Sequence, residues 1–199
     1  MLNAEHCSPQ IVATRRWLLG GAWVAVAWAL GGCASKPAPR ASAGARTARR
    51  SSVQPVPPTQ TPLDLPPAGR EASVAQAMLL VNTPYRYGGN TPEGGFDCSG
   101  LVHYVFGQLA QGTPAASRLP RSTAQWAAVT VPVDEGRLQR GDLVFFNTTG
   151  RPFSHMGIYV GAGQFVHAPS SGGTVRKDSV DSRYFGPRYQ GARRVFALG

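Results

Sequence analysis

Between Ala34 and Arg70 the chain carries prolines, alanines, serines and threonines but almost no large apolar side chain, so it cannot bury enough surface to offset the entropy of ordering itself. Whatever folds must lie beyond it. From about Glu71 onward apolar residues recur with regular spacing, and 199 residues in all leave room there for one ordinary domain. Charge is divided just as unevenly. The formal net charge is +10, and Lys36, Arg40, Arg46, Arg49, Arg50 and Arg70 against Asp64 alone place about half of that excess in the middle stretch. A basic arm of this kind favours anionic surfaces such as phospholipid headgroups or acidic wall polymers.

Upstream, Arg15 and Arg16 lead into the apolar run Trp17 to Leu30, too short for a comfortable membrane span, which needs about 20 residues. It reads as the core of a signal peptide. Leu30-Gly31-Gly32-Cys33 resembles the lipobox of bacterial lipoproteins, which makes Cys33 the expected lipidation site and the first residue of the mature chain. Thr14-Arg15-Arg16-Trp17-Leu18-Leu19 also resembles a twin-arginine export signal, so the export route stays open. The expected organisation is a signal peptide over 1–32, a lipidated and disordered basic Pro-rich tether over 33–70, and a folded domain over 71–199. Ala34 after Cys33, where an aspartate is absent, points to an outer-membrane lipoprotein facing the periplasm. Export argues against nucleic acid as the partner of the basic arm.

Within the domain, Val74, Ala77, Met78 and Val81 recur at helical spacing before Thr83-Pro84 stops the helix. After a loop rich in glycine, Leu101, Val102, Val105, Phe106 and Leu109 mark a second helix ending near Gly112, with Asp97 placed to cap its start. Ser122 is expected to cap a short helix through Trp126. Strands are expected at Leu143 to Phe146, Met156 to Val160, Phe165 to Val166 and Arg193 to Leu198, with Gly161-Ala162-Gly163 turning a hairpin. Helices followed by an antiparallel sheet give an α+β layout.

Cys98 is the lone cysteine of the domain, so no disulfide framework is possible within it. With Asp97 as cap it opens the second helix, where unpaired N–H groups and the helix dipole favour an anion and lower a thiol pKa. The same position leaves the Cys98 N–H available to an oxyanion. A buried structural cysteine is the plain alternative. The histidines add weight to the chemical reading. If the hairpin centres on Ala162, Val160 faces Gln164 and Gly157 faces His167, so His155 and His167 share one face of adjacent strands. That pairing suits a base and its orienting partner. A slip of one residue would separate them. Cys98, His155 and His167 as zinc ligands compete for the same atoms but lack a fourth ligand and any paired-cysteine or H-E-x-x-H spacing. His103, five residues after Cys98, points away from the thiol, and His6 lies in the segment to be removed.

Six ordered segments carry a family resemblance: Pro84-Tyr-Arg-Tyr-Gly-Gly89, Phe96-Asp-Cys-Ser-Gly-Leu-Val102, Leu119-Pro-Arg-Ser-Thr123, Gly141-Asp-Leu-Val-Phe-Phe146, Ser154-His-Met-Gly-Ile-Tyr-Val-Gly161 and Phe165-Val-His-Ala168. Together they resemble the NlpC family of papain-like cell-wall cysteine peptidases over nearly all of 71–199. The resemblance implies a papain-like core, Cys98 as nucleophile, His155 as base and His167 as the third polar residue. It matches the family tyrosine to Tyr85, or to Tyr87, and places Asp97 and Ser99 where relatives bind the stem peptide. It implies no metal or organic cofactor. The implied substrate is peptidoglycan, cut at bonds to γ-linked D-glutamate or at diaminopimelate cross-links by a chain held to the membrane through its lipid. A non-catalytic wall-binding scaffold and an amidase or acyltransferase on the same core are the alternatives, and a regulatory partner is left unidentified.

Overall fold

The computed structural model describes residues 58–171 and 173–196. The signal segment, Cys33 and the tether as far as residue 57 lie outside the described residues. The folded part starts earlier than residue 71. Leu63 and Leu65 are buried in the core, and the Leu65 N–H donates to the Val195 carbonyl at 3.0 Å, bridging to the far end of the chain. Two isolated leucines carry no periodicity, which is why composition assigned them to the tether.

Helix α1 spans Gly69–Leu79 and α2 spans Cys98–Ala110. The inward face of α1 is Ser73, Val74 and Ala77, while Met78, expected on that face, is 40% exposed. Ser73 tolerates complete burial because its hydroxyl donates to the Arg70 carbonyl at 2.6 Å. Helix α2 carries the expected stripe, with Leu101, Val102, Val105 and Phe106 buried. Helix α3, Thr123–Ala128, opens on a capping box between Ser122 and Gln125.

Strands β1 (Asn90–Thr91) and β2 (Gly95–Phe96) form a small ribbon in the glycine-rich loop. The main sheet is antiparallel and six-stranded, in the order β3-β8-β4-β5-β6-β7. Its strands are β3 (Val131–Val133), β4 (Leu143–Phe146), β5 (His155–Gly161), β6 (Gln164–His167), β7 (Arg176–Ser179) and β8 (Tyr189–Arg194). The last strand thus starts at Tyr189, earlier than expected, and ends at Arg194. The α+β class stands, with helices packed on an antiparallel sheet.

Every residue of β4 is buried, because both sheet faces are covered. Leu143, Phe145, Met156, Ile158 and Val166 pack with α1 and α2. On the other face Val144, Phe146 and Phe165 pack with Val180 and Phe185 from the chain that links β7 to β8, and with Tyr189 at the start of β8. Asp142, fully buried before β4, accepts from Arg194 at 2.7 and 2.8 Å and from Arg70 at 3.1 Å, which ties α1 to the sheet.

Candidate active site

Asp97 has extended backbone and caps α2, its carboxylate accepting from the Gly100 N–H at 2.6 Å. The same carboxylate accepts from the Gly88 N–H at 2.9 Å, from the Ser99 hydroxyl at 3.1 Å and from both terminal nitrogens of Arg121 at 3.0 Å. Burial alone would raise its pKa. The Arg121 and Gly100 bonds outweigh that and hold it below the ordinary carboxylate value. Asp97 and Ser99, expected to touch substrate, are engaged in bracing the glycine-rich loop against the helix start. That loop lies so close that a Cβ on Gly100 would overlap the Gly89 carbonyl. Arg121 belongs to the Leu119 to Thr123 segment, but nothing about it in sequence showed that its partner is the cap of another helix.

Cys98 opens α2 as expected, and the backbone N–H groups of Met156, Ser99 and Cys98 itself face its sulfur. Its pKa runs against expectation. Burial, followed by the negative charge of Asp97, pushes the thiol up to about 11 despite those donors. The helix start supplies the N–H groups but not the exposure that lets a thiolate form. Tyr85 packs beside Cys98 at the edge of the core, whereas Tyr87 is 90% exposed, so Tyr85 is the tyrosine at the thiol. His103 lies apart, bonded through Nδ1 to the Pro120 carbonyl at 2.8 Å.

The hairpin between β5 and β6 brings the two histidines together by a route the sequence reading did not foresee. Its turn is the two residues Ala162 and Gly163, with φ of 52° and 71°, and Gly161 pairs with Gln164. Kept along the strands, that register would turn the histidines to opposite faces. A bulge between Tyr159 and Gly161 absorbs one residue, so Ile158 pairs with Val166 and, continuing, Gly157 faces His167. The assumed register is thus wrong at the turn and right at the histidines.

His155 Nε2 and His167 Nδ1 are 2.8 Å apart, and His167 Nε2 is 2.9 Å from Asp178 Oδ2, which also accepts from Arg176 Nε at 3.0 Å. A carboxylate only accepts, so His167 donates from Nε2 and its Nδ1 is left to accept from His155 Nε2. The basic nitrogen of His155 is therefore Nδ1. Phe185 stacks on His155 at 5.9 Å and meets His167 edge-on at 5.1 Å, sealing the pair from water. Burial, then the neighbouring His167, takes His155 down to about 3; burial takes His167 down to about 4 against the opposing pull of Asp178. Both rings are neutral at physiological pH. With three of their four nitrogens spent on one another and on Asp178, the histidines do not form a zinc site with Cys98.

Asp178 and Phe185 were missed. Strand β7 reads Arg-Lys-Asp-Ser, with none of the apolar alternation that marks a strand, because it lies at the edge of the sheet where charge is favoured. Phe185 lies in irregular chain.

Gly157 has a steric role in this arrangement. A Cβ there would come within 2.6 Å of Phe165 Cδ2 and of the Val166 carbonyl, and within 3.0 Å of His167 Cβ. We expect Gly157→Ala to lower stability by about 1 to 3 kcal/mol, because the carbonyl cannot yield without disturbing the ladder. A denaturant midpoint unchanged from wild type would show that the strands relax freely.

The profile of the NlpC/P60 family matches residues 82–194. The murein DD-endopeptidase MepH of Escherichia coli is 38% identical over 128 residues, 63% of this chain and 45% of its own. The probable endopeptidase NlpC of the same organism is 41% identical over 114 residues, 57% of this chain and 70% of its own. The chain spans about half the length of the curated relatives it matches. Among solved structures, the NlpC/p60 domain of the peptidoglycan hydrolase SagA superposes with a TM-score of 0.51 at 32% identity, covering 62% of this chain and 97% of that one.

Proposed function

This chain belongs to the NlpC/P60 family, and we propose that it is a lipid-anchored peptidoglycan endopeptidase that hydrolyses stem-peptide or cross-link amide bonds through Cys98. The observation that carries this reading is a helix-start thiol beside the first residues of β5, where His155 begins the ordered series His155, His167, Asp178. The thiol and imidazole are both neutral at rest, so moving the proton before substrate arrives is uphill. Proton removal by His155 Nδ1 then coincides with attack of the sulfur on the carbonyl carbon. His167 and Asp178 hold the imidazolium that forms, and the Cys98 N–H with Tyr85 receives the oxyanion. His155 returns the proton to the leaving amine, and water hydrolyses the thioester in a second cycle of the same transfers.

The test is incubation of the purified protein with muropeptides and mass spectrometry of the products. Fragments cut within stem peptides or cross-links, formed without added metal and unaffected by chelator, are expected. Binding without release of any fragment would favour the scaffold reading, and transfer to an added amine in preference to water would favour an acyltransferase.

The neutral pair also sets a pH dependence. The productive state needs His155 unprotonated and Cys98 protonated, and these conditions fail only below about 3 and above about 11. Hence kcat/KM should be flat from about pH 5 to about pH 9. Iodoacetamide should alkylate the free protein more slowly than a model thiol at pH 7, since little thiolate is present. An acid limb near the ordinary histidine value, or fast alkylation at neutral pH, would show a preformed thiolate–imidazolium pair.

Lipidation at Cys33 would hold the enzyme at the periplasmic side of the outer membrane, with a basic tether to reach the wall. Intact-mass analysis of the membrane fraction should find a diacylglyceryl-modified chain beginning at Cys33. A soluble mature chain without lipid would refute it.

A further inference from the structure

Among the described residues, three that are not glycine have positive φ: Asn82, Ala162 and Phe153. Asparagine tolerates this conformation, and Ala162 sits in a two-residue hairpin turn that requires it. Phe153, with φ of 49°, has neither reason, so the structure around it must hold a bulky residue where it is costly. Its ring lies edge-on to Phe145 of β4 at 5.5 Å, and the Arg193 guanidinium carbon of β8 lies 5.3 Å from the ring centroid. Its backbone is held by a second irregularity. Strand β4 pairs Phe145 with Gly191 but Phe146 with Tyr189, which leaves Gln190 as an extra residue of β8 without a partner across the ladder. A bulge of this kind re-aims a side chain, and the amide oxygen of Gln190 accepts the Phe153 N–H at 2.5 Å.

The two irregularities meet where β5 begins. Ser154, the next residue, accepts from the Thr148 and Thr149 N–H groups at 2.9 and 3.3 Å, closing the loop between β4 and β5 on itself. His155 follows, paired with Phe146, and then Met156, whose N–H faces the Cys98 sulfur. The entry of β5 therefore carries both the imidazole and one of the donors at the thiol. We propose that Gln190 is a positioning residue: by holding Phe153 in the left-handed conformation it fixes the start of β5 and so sets His155 against Cys98. Its effect on rate rests on the hydrolytic reading above, whereas its effect on the His155 ring does not. A displacement of the ring by a fraction of an ångström is enough to slow a proton transfer that must coincide with attack.

Three substitutions in the full chain separate reach from chemistry. Gln190→Leu keeps the length and removes the acceptor, Gln190→Asn keeps the amide but shortens it by a methylene, and Gln190→Glu keeps an acceptor at full reach. Leu and Asn should each lower kcat on muropeptides by about tenfold with KM within about twofold, while Glu stays within about threefold of wild type in both. The second readout is exchange of the His155 Nε2 proton with water, followed by nitrogen-15 NMR. In wild type that proton lies in the bond to His167 beneath Phe185, and Gln190→Leu should speed its exchange by at least about tenfold while amide exchange in α2 changes by less than about twofold. A merely structural role would instead speed exchange throughout the domain and leave kcat of the folded protein unchanged. Wild-type kcat in Gln190→Leu, a loss in Gln190→Glu equal to that in Gln190→Leu, or an unchanged His155 proton overturns the positioning role. If wild type releases no fragment, the hydrolase reading falls and the proton alone decides for or against Gln190; cleavage by wild type with a proton indifferent to Gln190→Leu leaves the hydrolase and removes the positioning role.

Discussion

On the proposed mechanism, Cys98→Ala is expected to reduce cleavage of muropeptides by at least about a thousandfold while leaving the fold in place. The side chain opens α2, and the helix start depends on Asp97, whose bonds to Gly100, Gly88 and Arg121 do not pass through the sulfur. Alanine is also the strongest helix former, so the backbone loses nothing. What is lost is a small, partly buried group at the edge of the core. A change of about 1 kcal/mol or less follows, seen as a melting temperature within a few degrees of wild type. Circular dichroism and thermal melting check the first half, and product mass spectrometry the second. Residual cleavage within tenfold of wild type by a well-folded alanine variant would exclude Cys98 as the nucleophile.

The parts of this arrangement that were legible in the sequence are those fixed by local chemistry. Asp97 before an apolar helical stripe identifies a cap, and the cap fixes Cys98 as the first helical residue whatever the tertiary structure. The two histidines could be placed on one face only by assuming a register. The structure reaches the same outcome through a two-residue turn and a compensating bulge, because hairpin register is decided jointly by turn geometry and strand irregularity. Asp178 was invisible for a different reason. An edge strand is stabilised by its neighbour's ladder and tolerates charge, so Arg176 to Ser179 gives no hydrophobic signal, and its pairing with β6 is a long-range event. The thiol pKa was misjudged because the helix-start effect is local and readable, whereas burial by the surrounding chain is not.

The relay also makes a graded prediction, from its base outward. On the proposed mechanism His155→Ala removes the proton acceptor and should reduce kcat/KM by about three to four orders of magnitude, close to the loss expected for Cys98→Ala. Asp178 acts at one remove, and its two substitutions are informative because they differ in what they preserve. Both His167 Nε2 and Arg176 Nε donate to the same oxygen, Oδ2. An arginine can never accept, so in Asp178→Asn the amide oxygen must occupy that place and the amino group must turn outward. His167 still donates from Nε2, the tautomers of both rings are kept, and only the negative charge that supports the imidazolium is lost. That charge belongs to a side chain 30% exposed to solvent, so its screening limits the effect to about tenfold in kcat. Asp178→Ala removes the acceptor itself. His167 can then carry its proton on Nδ1, which turns His155 Nε2 into the acceptor and leaves the proton on Nδ1, the nitrogen needed for the thiol. A loss of about a hundredfold is expected. Nitrogen-15 shifts of His155 should therefore report one tautomer in wild type and in Asp178→Asn, and a mixture in Asp178→Ala. If the asparagine variant is the more damaged of the two, Arg176 does not set the orientation, and the order of donors along the relay would have to be reversed.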